Sequence, residues 1–170
     1  LTDTSHSIVI FIRNDWKMLP GILNKALNNI PTAERERINQ RWLSGPNALP
    51  INSVRVLTEA ERTWIAAHPE VVVGYTLDLP PILMQAANGS YSGMLPDYLA
   101  LLEKHLGLKF RLKVGTIEAV MKWLEAGEIE VVGPHYAIPE YLASVNFTPP
   151  LFKSYPYIFL RNDDPRNFTK

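Results

Sequence analysis

The stretch VVVGYTLDLPPIL, residues 71–83, contains the transition that decides the fold. It begins with three valines and Gly74, as a buried strand does, and then runs into the apolar loop Leu79-Pro80-Pro81. Proline lacks a backbone N–H and fixes φ, so the hydrogen-bond ladder of the strand must stop at this loop. In open α/β sheets ligands bind beyond the carboxyl ends of the strands, which makes the loop a candidate binding element.

Helices and strands alternate on the C-terminal side of this stretch. Apolar residues at helical spacing predict one helix over Leu95–Leu106, ended by Gly107, and another over 116–127. A strand–helix–strand–helix–strand order with right-handed crossovers predicts an α/β fold with a parallel-dominated sheet flanked by helices. The strands expected after the first one are 108–114, 129–133 and 155–161.

The N-terminal part of the chain has a different order of elements. A β-rich apolar run at 7–13 precedes two predicted helices, at 19–30 with Pro20 in the first turn and at 31–43 with Thr32 as its cap. A segment with few charges, 44–54, is typical of a linker. The helix predicted over 57–69 opens with Thr58 and Glu61 in the spacing of a capping box.

Composition excludes several classes of protein. The 170 residues include 17 basic and 17 acidic side chains and no cysteine. A neutral chain without a basic run argues against nucleic acid as a partner, and the absence of cysteine excludes disulfides and zinc–thiolate sites. No apolar run approaches the roughly 20 residues that span a bilayer. The first residues lack the signature of a signal peptide, so we expect a cytoplasmic protein or a segment of a longer one.

Residues 71–110 resemble the first lobe of periplasmic solute-binding proteins of the amino-acid-binding type. The resemblance continues through WLEAGEIEVVGP (123–134) and VNFTPPL (145–151). The helix over 57–69 is typical of the Venus-flytrap sensor domains of BvgS/EvgS-like membrane histidine kinases. The marks that carry the resemblance are Gly74, Pro80-Pro81, Asn88-Gly89, Gly93, Asp97, Leu106-Gly107-Leu108 and Pro139-Glu140.

The same resemblance implies how the chain is divided. Residues 1–45 resemble the C-terminal strand and helices of a preceding flytrap domain, 46–57 form the linker, and 58–170 form the first lobe of a following domain. That lobe would expose an apolar surface if it stood alone. We therefore expect apolar residues of the first segment to cover it, either within one chain or exchanged between two chains as a homodimer. These residues are Ile22, Leu23, Leu27, Ile38 and Trp42.

Two departures from the family pattern bear on the ligand. Leu79 and Ile82 stand where amino-acid binders carry a stacking aromatic residue. In YAIPEY (136–141), Tyr141 stands where the family has the arginine that clamps the ligand carboxylate. A tyrosine supplies no positive charge near neutral pH, so we expect any small-molecule ligand to be something other than a free amino acid. The candidate ligand-binding residues are Asp78, Leu79, His135, Tyr136, Ile138 and Tyr141.

Ordinary structural roles compete with these assignments. His135 can be an ordinary loop histidine, and Asp78 can form an Asx-turn with the backbone of its own loop. Asp97 can cap a helix or match the positive end of the helix dipole. Tyr136 and Tyr141 can line a pocket or simply pack.

The resemblance implies a non-catalytic, periplasmic ligand-sensing module of a two-component sensor kinase in the inner membrane. Its expected partners are the second lobe and the neighbouring flytrap domain of the full-length protein. The sequence contains no catalytic acid–base pair, nucleophile motif or metal-ligand spacing, and we expect no cofactor. The alternatives are a soluble solute-binding subunit of a transporter and an enzyme on the same fold.

Overall fold

The fold consists of a central sheet with helices on both faces. In the computed structural model the described residues are 6–43, 56–77, 79–136 and 145–154. The helices are α1 (Leu19–Asn29), α2 (Thr32–Trp42), α3 (Glu59–Ala67), α4 (Met94–Leu106) and α5 (Ile117–Ala126). The strands are β1 (His6–Arg13), β2 (Glu70–Thr76), β3 (Met84–Gln85), β4 (Tyr91–Ser92), β5 (Lys109–Gly115), β6 (Val131–Tyr136), β7 (Val145–Phe147) and β8 (Phe152–Ser154).

The central sheet has the strand order β5-β2-β6-β1-β7, and β8 also pairs with β1. Strands β5, β2 and β6 are mutually parallel, as the alternation of strands and helices predicts. Strand β1 is antiparallel to β6, β7 and β8, so the sheet is mixed around a parallel core. The short strands β3 and β4 form a separate hairpin before α4.

Alternation along the strands divides the core into two layers. In β1, Ile8, Ile10 and Ile12 face the layer that also contains α1 and α4, whereas Val9 and Phe11 face the α5 layer. Successive side chains of a strand point to opposite faces, so a strand that is apolar throughout must be covered on both sides. The burial of β1 on both faces identifies it as a central strand of the fold.

The N-terminal helices pack onto the later lobe, which confirms the predicted packing. Ile22, Leu23, Leu27 and Ile38 are at most 6% exposed and belong to the same apolar cluster as β2 and α4. The partly buried Trp42 packs against this cluster, and its indole Nε1 donates to Asp97 Oδ2 on α4 at 2.7 Å.

Of three local predictions about helix starts, one is confirmed, one is wrong and one is confirmed in part. Thr58 accepts from the backbone N–H of Glu61, whose side chain accepts from the backbone N–H of Thr58, so the capping box of α3 is present. Pro31, not Thr32, occupies the N-cap position of α2, and Thr32 begins the helix. Asp97 does not cap α4, because Gly93 occupies the N-cap position, but it lies in the first turn, where its charge matches the helix dipole as expected. Its carboxylate also accepts from Trp42 and Arg41 on α2.

Two strand predictions have different outcomes. The strand predicted over 129–133 runs instead from Val131 to Tyr136, which carries His135 into the sheet. The strand predicted over 155–161 lies outside the described residues. Within the described part of the chain, none of the helices has the length and apolar character needed to cross a bilayer.

Candidate functional site

The carboxyl ends of the parallel strands define one edge of the sheet. Thr76, the last residue of β2, is in register with Gly115 at the end of β5. Gly74 of β2 is in register with Val132 of β6, so β6 runs on through His135 and Tyr136 to the same edge. We call this edge, formed by residues 75–77, 79, 115–117 and 134–136, the carboxyl edge.

The loop after β2 turns back across the start of α4. Pro80-Pro81 is a cis peptide bond, and the backbone N–H of Ile82 donates to Leu79 O at 2.8 Å. Ile82 and Leu83 are buried, whereas the Leu79 side chain is 44% exposed. The loop therefore has a structural half that inserts into the core and an exposed apolar half at the carboxyl edge.

The same loop uses the backbone donors at the start of α4. Met94 N–H donates to Pro81 O at 3.0 Å and Leu95 N–H donates to Ile82 O at 3.0 Å. Pro96 has no N–H, and Asp97 N–H donates to Gly93 O. A helix N-terminus binds anions through its unpaired N–H groups. Since every first-turn amide of α4 is paired or missing, this helix offers no anion site.

The start of α5, the other helix at this edge, is occupied by an acidic side chain. The pKa of Glu118 lies below its ordinary value, because its carboxylate accepts a hydrogen bond from its own backbone N–H and another from Thr116. Thr116 also caps the helix by accepting from Ala119 N–H at 3.3 Å. The positive end of the helix dipole is thus already matched by a negative charge of the protein.

A β-bulge decides where His135 points. Val9 pairs with His135 and Phe11 pairs with Val132, so Gly133 and Pro134 together lie opposite one residue of β1. The extra residue shifts the alternation of β6 by one position. As a result the His135 ring lies on the α5 face, 5.8 Å from the Phe11 ring between centroids. Its Nδ1 is 3.3 Å from Tyr136 O.

Tyr136 follows His135, and their rings make an edge-to-face contact with centroids 5.9 Å apart. It pairs with Ile8 of the α4 layer and is 45% exposed. Tyr75 is 1% exposed and packs over Gly133, where an added Cβ would lie 2.5 Å from the Tyr75 ring. Burial raises the pKa of Tyr75, and the neighbouring Tyr136 phenol raises it further. Among the described residues, the buried Tyr75 hydroxyl has no hydrogen-bond partner.

Three of the six predicted site residues can be placed. Leu79, His135 and Tyr136 all lie at the carboxyl edge, where the rings of His135 and Tyr136 are in contact. Asp78, Ile138 and Tyr141 lie outside the described residues, and their roles stay predictions. Sequence reasoning missed Tyr75 and the 38% exposed Leu77. Alternation from Val71 and Val73 would have put Tyr75 on the α4 face at the end of β2.

The described residues also line two grooves away from this edge. One, of about 480 Å³, lies beside Arg13 and Gly127 at the opposite end of the sheet. Arg13 is already paired there, with Asp15 Oδ1 at 2.6 Å and with Ile129 O at 3.3 Å. The other groove, of about 330 Å³, lies between α2 and α4. Within the described residues no group of carboxylate and imidazole side chains could hold a metal ion.

Comparison with known proteins places the second half of the chain in a family. Residues 71–170 match the bacterial extracellular solute-binding proteins, family 3. The chain belongs to this family. The match begins at the first residues of β2 and includes the whole parallel core of the sheet, so the predicted α/β lobe of the flytrap type is confirmed.

This family 3 chain is similar to two sensor proteins. It is 32% identical to the sensor protein EvgS of Escherichia coli (strain K12) over 98 residues, which are 58% of this chain and 8% of EvgS. It is 27% identical to the virulence sensor protein BvgS of Bordetella pertussis (strain Tohama I) over 158 residues, covering 89% of this chain and 12% of BvgS. The chain therefore spans about a tenth of the length of these relatives.

Among solved structures, the chain is similar to an ancestral cationic amino acid solute binding protein. The two share 26% sequence identity and superpose with a TM-score of 0.41, over 46% of this chain and 35% of that protein.

Proposed function

We propose that this chain is a non-catalytic, periplasmic ligand-sensing module of a two-component sensor kinase that is anchored in the inner membrane. The single observation that carries the proposal is the extent of the match to a sensor protein. Only 100 residues lie in 71–170, yet the alignment with BvgS covers 89% of the chain. Similarity to a sensor protein therefore includes residues that precede the solute-binding match.

The proposed division of the chain follows the same reasoning. Residues 1–45 would be the end of a preceding flytrap domain, 46–57 a linker and 58–170 the first lobe of the next domain. The pairing of β1 with β6 supports a close connection between the first and last of these parts. In the full-length protein, the partners would be a second lobe and the preceding domain.

The proposed mechanism is closure over the carboxyl edge. A small molecule would bind there between this lobe and a second lobe, in contact with Leu79, Tyr136 and the predicted Asp78, His135, Ile138 and Tyr141. Closure can carry a signal only if the ligand binds the closed state more tightly than the open one. The loop over α4 supports this role because two backbone hydrogen bonds hold Pro81 and Ile82, which follow Leu79 closely in the chain, to the start of the helix.

Two other functions are weighed against the sensor. A transporter's solute-binding subunit shares the family, but the sequence relatives reported above are sensor proteins. An enzyme would need acid–base groups at the carboxyl edge. Of the described residues there, His135 is the only one with an imidazole or carboxylate side chain, and Glu118 lies next to the edge.

The test begins with the complete gene and continues with its product. We expect a membrane-spanning helix and a kinase domain downstream of these residues. In membrane vesicles that contain the complete protein, Tyr136→Asp should change autophosphorylation severalfold, because it places a charge where the lobes would close. Thr63→Asp, on the exposed side of α3, is the matched control and should leave autophosphorylation unchanged. A gene that encodes only a secretion signal and a binding domain would instead support the transporter subunit.

A further inference from the structure

Two strands at one side of the sheet depend on β1 for their pairing. In the order β5-β2-β6-β1-β7, β1 separates β6 from β7, and β8 also pairs with β1. Among the described residues, β7 and β8 pair with no strand other than β1. Buried backbone N–H and C=O groups need partners, so this position, which we call the β1 slot, has to hold a strand.

Hydrogen bonds hold β1 in the slot on the side of β7 and β8. The backbone N–H of Ile10 donates to Oγ1 of the buried Thr148 at 3.0 Å, and Thr148 N–H donates to Ile10 O at 3.1 Å. Leu151 N–H donates to Ile8 O at 2.8 Å. The other side of β1 pairs with β6. Removing β1 would therefore leave backbone groups of three strands without their partners.

The helices that follow β1 match the later lobe, residues 57–154, in charge. Three ion pairs each join one residue of 6–43 to one of the later lobe: Lys25 with Glu61 at 2.6 Å, Arg41 with Asp97 at 3.3 Å, and Glu34 with Lys104 at 3.5 Å. Exposed ion pairs add little stability, but complementary charges at several points of an interface select one partner over another. Residues 6–43 therefore fit this lobe specifically and do more than share an apolar pattern with it.

We propose that in the complete protein the β1 slot is filled by residues 6–43 of the preceding flytrap domain, so that the two domains are interlocked by an exchanged strand. The slot takes a partner of one kind, a strand that is apolar on both faces and continues into two helices. This inference rests on the proposed function, because the proposed division assigns 1–45 to the preceding domain. The competing occupant is the corresponding C-terminal strand of the following domain itself.

A disulfide between β1 and β8 tests which strand occupies the slot. Ser7 lies opposite Lys153 in the antiparallel register, both lie outside the core, and the chain has no cysteine. Cα atoms of such partners are about 4.5–5.5 Å apart, which a disulfide can span. Ser7→Cys and Lys153→Cys are introduced into the complete protein, with any other cysteine changed to serine and a protease site placed between Ala48 and Leu49.

After oxidation and cleavage, the two fragments should stay joined on a non-reducing denaturing gel. Without cleavage the protein should run as a monomer, because the strand comes from the same chain. Fragments that separate, while the 170-residue chain with the same substitutions is cross-linked, would assign the slot to the following domain's own strand and overturn the inference. A disulfide-linked dimer would place a second copy's strand in the slot and would also overturn it.

A second cysteine pair is the matched control. Glu125 is exposed and lies beside Arg13, at the end of β1 that is about 20 Å from Ser7 along the strand. Ser7→Cys with Glu125→Cys should leave the cleaved fragments separate. Equal cross-linking of the two pairs would show that the disulfides form by random encounter, and the exchanged strand would lose its support.

The outcomes also separate this inference from the proposed function. If the fragments stay joined but the complete gene encodes no kinase domain, the exchanged strand stands and the sensor role fails. If autophosphorylation of the complete protein responds to Tyr136→Asp but the fragments separate, the sensor role stands and the exchanged strand fails.

Discussion

Gly93 determines whether the loop after β2 can close over α4. Its φ is +133°, and a Cβ at this position would lie 2.5 Å from Ile82 O and 2.9 Å from Pro81 O. Both carbonyls belong to the turn that receives the first amides of the helix. Gly93→Ala should therefore lower the free energy of unfolding, measured in urea, by at least about 3 kcal/mol.

Gly89 provides the matched control for Gly93. Its φ is +81°, but nothing lies within 4 Å of a Cβ built there. Gly89→Ala should cost only the backbone strain, about 1 kcal/mol. If the two variants lose the same stability, the close approach of the loop carbonyls is not the reason that position 93 requires glycine.

Tyr75 makes stability depend on alkaline pH. Its pKa is raised in the folded state, chiefly by burial, above the ordinary value of 10.0 that applies in the unfolded chain. A raised pKa means that the folded state holds the phenol proton more tightly than the unfolded state does. The stabilisation that results is complete below about pH 10 and falls as the pH rises above that value. Urea unfolding between about pH 9 and 11 should show this loss, and Tyr75→Phe should lose less stability over the same interval.

At the residue scale, sequence reasoning found the edge but not the directions of its side chains. Leu79 and Tyr136 could be assigned to the carboxyl edge because each follows a predicted strand. The face of His135 could not, because the extra residue at Gly133-Pro134 reverses the alternation. The need for a bulge arises from pairing with β1, which is distant in sequence, so the local pattern contains no sign of it.

Helix α3 is attached to α1 by a buried ion pair. Lys25 Nζ lies 2.6 Å from Glu61 Oε2, and their side chains are 19% and 9% exposed. Desolvation raises the pKa of Glu61, but hydrogen bonds from Lys25 and from Thr58 together outweigh it, and the pKa is lowered overall. The rings of Trp16 and Trp64, 5.2 Å apart, add an apolar contact to the same attachment.

Removing the Glu61 charge should weaken this attachment in a pH-dependent way. Glu61→Gln should reduce the free energy of unfolding by about 2 kcal/mol at neutral pH. A group whose pKa is lowered in the folded state stabilises that state at pH values above its unfolded-state pKa, which is about 4.3 for a glutamate. This stabilisation is lost as the pH falls through the folded-state pKa. The difference in the free energy of unfolding between the wild type and Glu61→Gln should therefore be constant from about pH 6 to 8. It should shrink below about pH 4.

An exposed ion pair on the same helix is the control for Glu61. Arg62 and Glu59 are 2.9 Å apart but 54% and 83% exposed. Arg62→Gln should change stability by less than about 0.5 kcal/mol because exposed pairs are screened by solvent. A loss at Arg62 equal to that at Glu61 would contradict a specific role for burial.

At the element scale, periodicity predicted the helices well and could not predict the partners of β1. Helix α1 was expected at 19–30 and is Leu19–Asn29, and α5 was expected at 116–127 and is Ile117–Ala126. The local apolar spacing of both helices, together with Gly127 after α5, is enough to predict where they lie. The position of β1 between β6 and β7 depends on contacts more than a hundred residues apart, which no local pattern encodes.

At the scale of the whole molecule, residues 6–43 are inseparable from the later lobe. Burial of one large aliphatic side chain contributes about 1.5–3 kcal/mol, so eight contribute roughly 12–24 kcal/mol. That sum is comparable with the net stability of a typical domain, about 5–15 kcal/mol. The eight residues, each at most 2% exposed, are Ile8, Ile10, Ile12, Leu19, Ile22, Leu23, Leu27 and Ile30.

Cutting the chain between these parts should not separate them. A protease site inserted between Ala48 and Leu49, once cleaved, should leave two fragments that elute together from a sizing column and keep the circular dichroism of the intact chain. Ile12→Asp, which buries a charge in β1, should cause the cleaved fragments to separate or precipitate. Independent elution of a folded C-terminal fragment without this substitution would show that β1 is not required for the lobe.

The central position of β1 also governs how force passes through the molecule. An antiparallel ladder places its hydrogen bonds perpendicular to the strands, and β1 has such ladders on both sides. A pull along the strand axis must shear both ladders at once, whereas an edge strand can be unzipped one bond at a time. Tension applied at the N-terminal end of β1 is therefore delivered to β6, the strand that carries His135 and Tyr136 to the carboxyl edge.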